Sequence, residues 1–256
     1  MKRFIILILL FPLFSYVLNA AGGDRHVFPD EILTYKVMFK WGLVNKQAGT
    51  VDIALKSDGD RYYSTLTAKS ASWADHIYKV RDTLLSTMHR PSLEPIVYNK
   101  ISHEGNEDKH DVVRFSKKGA YTLGHCSRKV VKKGKLFRDE KLELEAIGTT
   151  VDMLSSFYYM RTIDYASMKK GDVITINIFS GKRKELLTIK YLGTEDVSYD
   201  GRKYRSYHIS FIFTSDGKTK TSDDMSAWIT ADNRHIPIKL EGKLPVGSVR
   251  CFYTGK

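Results

Sequence analysis

The chain has 256 residues, with 41 Lys or Arg against 29 Asp or Glu, a formal charge of +12, and two cysteines. A balance this basic usually points to nucleic acid, but the leader described next takes the chain away from it. Anionic lipid head groups, lipopolysaccharide phosphates or acidic glycans fit better, and the same charge also serves plain solubility.

Lys2 and Arg3 form a positive n-region, Phe4 to Leu18 an apolar stretch, and Ala20 and Ala21 a small-residue cleavage site. This pattern predicts a signal peptide over 1–20 and an exported, periplasmic and soluble mature chain over 21–256. The apolar stretch is broken by Pro12 and falls short of the roughly 20 residues that span a bilayer. No Cys stands near the cleavage site to take a lipid, and no later segment is apolar for long enough to be transmembrane. Removing Lys2 and Arg3 lowers the formal charge from +12 to +10.

Period-two alternation then dominates. Leu33, Tyr35, Val37, Phe39 and Trp41 alternate with Thr34, Lys36, Met38 and Lys40, which predicts a strand with one buried face. The alternation returns at Val51, Ile53 and Leu55, at Ile174, Ile176 and Ile178, at Tyr207, Ile209, Phe211 and Phe213, and at Ile236, Ile238 and Leu240. Turn signals at Asp58-Gly59, Lys118-Gly119, Lys133-Gly134, Asp200-Gly201 and Asp216-Gly217 join such runs into antiparallel hairpins.

The cluster Trp73, Asp75, His76, Tyr78, Arg81 and Asp82 is dense in aromatic and charged groups. Arg81 and Asp82 are neighbours on a strand, so one of them points inward. An inward Arg requires either a carboxylate partner or a ligand anion, because an unpaired buried charge is very costly. Between His103 and Asp111 the histidines are seven apart across Gly105, which does not match the helical i, i+4 spacing of a zincin and reads as a solvated hairpin; no metal ligands are assigned. The basic run Arg128, Lys129, Lys132, Lys133, Lys135 and Arg138 surrounds the Gly134 turn and reads as an exposed hairpin tip, either solvated or docked to an anionic surface. Cys126 and Cys251 are permitted a disulfide in an oxidising compartment, and two separate buried thiols fit equally well.

From Thr149 to Arg161 the apolar spacing turns helical. Thr149 with Asp152 has the form of a capping box, and Val151, Leu154, Tyr158, Met153, Phe157 and Met160 make a wide apolar stripe. Arg161 follows Tyr158 on this helix and poses the same question as Arg81. The fold class is therefore mainly β: a strongly curved antiparallel sheet or partial barrel with one central helix packed on its open side. We expect a single β-rich domain over 21–256, with two β-lobes meeting at a 149–165 helix as the alternative.

Several separated blocks carry a family resemblance. They are Leu33-Thr34-Tyr35 through Trp41-Gly42 with Ala48-Gly49; Trp73-Ala74-Asp75 with Tyr78-Lys79-Val80-Arg81-Asp82; Asp152-Met153-Leu154-Ser155 with Tyr158-Tyr159-Met160-Arg161; and Trp228-Ile229-Thr230 through Arg234-His235-Ile236-Pro237 to Gly247-Ser248-Val249-Arg250. In this combination and order the chain resembles the exported bacterial family catalogued as domain of unknown function 3108. The resemblance implies export and no established activity.

No GxSxG or GxxxxGK sequence occurs, so no catalytic residue and no cofactor is assigned. The function read from the sequence is a non-enzymatic envelope protein that binds an apolar or amphipathic, anionic lipid-like ligand between sheet and helix. Trp73, Tyr78, Arg81, Tyr158 and Arg161 are its candidate ligand-binding residues, the two arginines forming an anion clamp if they reach one cavity. A lipid or acidic glycan is the expected ligand. The alternative is a protein-interaction scaffold in envelope assembly or polysaccharide handling, with an envelope protein as partner; a glycan hydrolase requires two facing carboxylates that the sequence does not locate.

Overall fold

The computed structural model describes residues 27–90, 92–215, 225–243 and 247–255; the signal peptide expected over 1–20 and the Asp216-Gly217 turn lie outside the described residues. In chain order the elements are β1 (Glu31–Trp41), β2 (Val44–Asp58), β3 (Arg61–Ser70), α1 (Ser72–Tyr78), β4 (Val80–His89), β5 (Pro95–Glu104), β6 (Glu107–Lys118), β7 (Tyr121–Lys132) and β8 (Lys135–Ile147). After these come β9 (Thr150–Asp152), α2 (Ser155–Arg161), β10 (Val173–Phe179), β11 (Lys184–Tyr199), β12 (Arg202–Ser215), β13 (Met225–Thr230), β14 (Pro237–Lys243) and β15 (Ser248–Tyr253).

All fifteen strands form one sheet in the order β8-β7-β6-β5-β4-β3-β2-β1-β15-β14-β13-β12-β11-β10-β9. Each chain-adjacent pair from β1 to β8 and from β10 to β15 is an antiparallel hairpin, and β15 returns to pair with β1. The alternation seen in the sequence decides which face turns inward: Leu33, Tyr35, Ile53 and Leu55 are buried, whereas Lys36 and Lys40 are exposed. Register shifts at Val37/Met38, Thr87/Met88 and Val130/Val131 add local bend to strands already long enough to coil. The result is a mainly β, barrel-like sheet that is nearly closed.

Its two edges, β8 and β9, do not pair with each other. Instead the β9–β10 edge lies across the inner face of β4 to β7. Ser86 of β4 donates to the Asp152 carboxylate at 2.6 Å, and Phe179 of β10 stacks on Phe115 of β6 with ring centroids 5.7 Å apart. Gly124 of β7 makes room for that ring, since a Cβ there would meet Phe179 carbons at 2.5 and 2.9 Å. Gly181, at φ +85°, brings the β10–β11 turn equally close to Asp111 of β6, where a Cβ would meet the Asp111 Cβ at 2.8 Å.

The helix predicted from Thr149 to Arg161 is shorter than its pattern. Thr150–Asp152 forms a strand parallel to β10, and α2 begins only at Ser155. The cap lies one turn further on than expected: the Asp152 carboxylate accepts the Leu154 and Ser155 N–H groups at 2.7 Å each, and Ser155 Oγ accepts the Asp152 N–H at 2.8 Å. That reciprocal pair satisfies the backbone where strand becomes helix, so Asp152 ends the strand and starts the turn. Six of the seven α2 residues are buried. Leu154, Phe157 and Tyr158 join the larger apolar cluster with Leu33, Tyr62 and Tyr98, while Met160 joins a second one with Ile178, Leu187 and Ile209. The second helix, α1, carries no buried residue and was not foreseen, because its seven residues are too few to show a period.

Gly124→Ala forces a methyl group into the buried Phe179 ring, an overpacking that costs about 1–3 kcal/mol. Denaturant unfolding at constant m should show the loss; an unchanged midpoint would mean that β10 does not press on β7.

Candidate functional site

The overlap of the two edges leaves a gap at one end of the sheet. There the β10–β11 turn faces the inner surface of β5 to β8 across a cavity of about 550 Å³. Leu84, Tyr98, Val130, Phe137 and Met153 are its apolar lining. Besides Ser180 the remainder is charged: Lys100, Lys109, Arg128, Lys132, Arg138 and Lys182 with Glu107, Asp111 and Glu185. The charges on β5 to β7 sit on the face that elsewhere carries the core, in phase with Tyr98, Val113 and Cys126, because a strand keeps alternate residues on one side.

Arg128 is better buried than Lys109, Lys132 and Arg138. Its Nε lies 3.1 Å from Asp111 Oδ1 and its Nη1 3.4 Å from Glu140 Oε1. Both atoms of the Nε–Oδ1 contact are buried. Burial pushes the Asp111 carboxyl up, against the pull of Arg128 and Lys100. Lys182 is held below the usual lysine range by partial burial and by the neighbouring Arg183 and Arg128.

The sequence-predicted residues fall elsewhere, in two groups. Trp73 and Tyr78 belong to α1, outside the sheet; the Trp73 indole donates to the Gln47 carbonyl at 2.7 Å, and Lys46 lies over its ring. Arg81 grips Asp75 with both terminal nitrogens, at 3.1 and 2.7 Å, while its neighbour Asp82 takes the inward position and accepts from Ser102 at 2.8 Å. Tyr158 and Arg161 are inside α2. The Tyr158 hydroxyl accepts from Ser64 at 3.3 Å, and burial pushes it up beyond the usual phenol range. Arg161, one of the largest fully buried side chains, pairs with Glu31, donates to the Arg234 carbonyl at 3.0 Å and packs over the Phe28 ring. The two arginines therefore do not share a cavity, and each has a carboxylate partner. Cys126 and Cys251 lie on β7 and β15, and both thiols are free.

The basic run at 128–138 forms the expected exposed tip at the β7–β8 turn, where Lys133 and Lys135 are exposed, and also reaches the cavity, which Arg128, Lys132 and the exposed Arg138 line. The sequence held a signal for this: Lys109 and Asp111 alternate in step with Val113, as Arg128 does with Cys126 and Val130. Charges in phase with a buried face are the mark of a polar interior.

The family model described as protein of unknown function DUF3108 matches residues 34–253. No curated protein matches the chain. Among solved structures, it is similar to a β-barrel-like protein of domain of unknown function DUF1849 from Brucella abortus, with a TM-score of 0.59 and 10% identity over 90% of this chain and 97% of that one. At that identity the likeness is one of fold.

Replacing Glu31 by Ala strands the buried Arg161 charge and should cost about 3–5 kcal/mol in thermal or denaturant unfolding. A double change to Glu31→Leu and Arg161→Met should recover most of it. Equal losses in the single and double variants would show that the charge pair is not what the helix depends on.

Proposed function

The chain belongs to the DUF3108 family of proteins of unknown function, and from the geometry of its cavity we propose that it is an exported, non-enzymatic envelope protein that binds an amphipathic small molecule. The observation that carries this reading is the cavity at the sheet overlap, about 550 Å³ in volume and lined by both apolar and charged side chains. Its size is that of a small-ligand site, and a lining of both kinds suits a molecule with a tail and a head. In this reading the ligand lies between the inner face of β5–β8 and the β10–β11 turn, rather than against the buried face of α2. The leader and the family resemblance support export, and the absence of any motif for nucleophilic or acid–base chemistry in the sequence supports a binding role.

One observation favours the interaction scaffold as a second reading. At the β1–β2 turn Trp41, Leu43 and Val44 are exposed together, beside Lys46, an apolar tip suited to an envelope partner.

Mass spectrometry of an organic extract from gently purified mature protein separates the two. We expect an amphiphile in near-stoichiometric amount, depleted in a Leu84→Trp variant whose larger ring fills the cavity. Empty extracts, repeated after incubation with envelope lipids, would favour the scaffold.

A further inference from the structure

The cations of the cavity are not equally engaged. Lys109 lies 2.9 Å from Glu104 and 3.2 Å from Glu107, Lys132 lies 2.7 Å from Glu107, and Arg138 lies 2.9 Å from Glu140. Arg128 stands between Asp111 and Glu140. Lys100 and Lys182 alone among the six have no carboxylate within ion-pairing distance among the described residues. They come from facing walls, Lys100 from β5 and Lys182 from the β10–β11 turn.

One further donor of the cavity wall has no acceptor. The Tyr98 hydroxyl, two residues from Lys100 on the same face of β5, is fully buried and makes no hydrogen bond, whereas Arg128 Nε faces Asp111 Oδ1 at 3.1 Å. A buried polar group left unmade costs free energy, so an unmet donor in this wall is a feature that a ligand completes. The charge such a ligand brings is negative: partial burial, Arg183, Arg128 and Arg138 together disfavour the Lys182 ammonium, and an anion beside it reverses that.

We propose that the cavity binds the phosphoryl head of a phosphorylated amphiphile, with Lys100 and Lys182 as its two charge contacts from opposite walls and Tyr98 as a hydrogen-bond donor. The inference rests on the ligand-binding reading above and names the chemistry of the head. A phosphoryl group carries up to two charges and presents three terminal oxygens in different directions, which suits lysine ammonium groups that act as point charges. A carboxylate is planar, singly charged and best matched to an arginine fork, and the Arg128 and Arg138 forks are already turned to Glu140. Leu84, Phe137 and Met153 supply the surface for the apolar part.

The test is calorimetric titration of the mature protein with three probes: a short-chain phosphatidic acid, the diacylglycerol of the same chains, and inorganic phosphate. We expect phosphatidic acid to bind at least about tenfold more tightly than diacylglycerol, and this advantage to be lost in the Lys100→Gln/Lys182→Gln double variant. Raising the salt concentration should weaken the wild type toward the variant. Tyr98→Phe, which removes one oxygen and keeps the ring, is the second variant and should weaken phosphatidic acid alone. Equal binding of phosphatidic acid and diacylglycerol, unchanged in the variants, overturns the phosphoryl inference and leaves the ligand-binding reading standing. Inorganic phosphate bound as tightly as phosphatidic acid overturns the amphiphile and assigns the site to the free ion. No binding of any probe overturns the inference together with the reading on which it rests.

Discussion

A single close approach governs this structure: the Phe179 ring of β10 lies against the bare backbone of Gly124 in β7 and stacks with Phe115, the cross-strand partner of Gly124. A fifteen-stranded sheet accumulates too much twist to stay open and flat. Joining β8 to β9 in a ladder would close it as a barrel, but β9 has only three residues with which to pair. The sheet closes by overlap instead, one edge resting on the inner face of the other half. Because the overlap is held by side-chain packing and by Ser86 reaching Asp152, it seals the middle of the molecule and leaves one end unsealed.

The two kinds of buried charge follow from this. Near α2 the interior is closed, so Arg161 is accompanied by Glu31, the Arg234 carbonyl and the faces of Phe28, Phe157 and Tyr158. Such a pair is costly to break and contributes little net stability over an apolar replacement; its effect is to fix one position of the helix against β1. At the unsealed end the charges are arranged differently. They are many, range from buried Asp111 to exposed Lys182, and are incompletely matched, with Lys100 and Lys182 left over and the Tyr98 hydroxyl unpartnered. A closed core does not tolerate that arrangement, whereas a site that takes a charged ligand requires it.

The similarity to the Brucella abortus β-barrel-like protein extends over nearly the whole of both chains at 10% identity. A likeness of that kind follows from strand number, twist and closure, which many sequences satisfy. Activity is not part of it, because sites are grafted onto folds. The functional reading here therefore rests on the particular residues of one cavity and not on the company the fold keeps.

The sequence by itself determined several strands and the inward face of each, though not to its end: Trp41, in phase with Leu33 and Tyr35, is exposed beyond the register shift at Val37/Met38. Leu33 and Tyr35, Ile53 and Leu55, and Ile176 and Ile178 all turn inward as their alternation requires, since a period of two is a local property of extended backbone. The turn glycines were equally legible: Gly59, Gly119, Gly134 and Gly201 all adopt the positive φ that their hairpins require. The start of α2 was not, because the choice between strand and helix at Thr150–Asp152 depends on β10 pairing with it from 27 residues away. Nor was the site. Lys100, Arg128 and Lys182 are 28 and 54 residues apart in the chain and share a cavity only because one edge of the sheet folds over the other. Tertiary structure alone decided that, for a long-range overlap of two sheet edges leaves no period in the sequence to read.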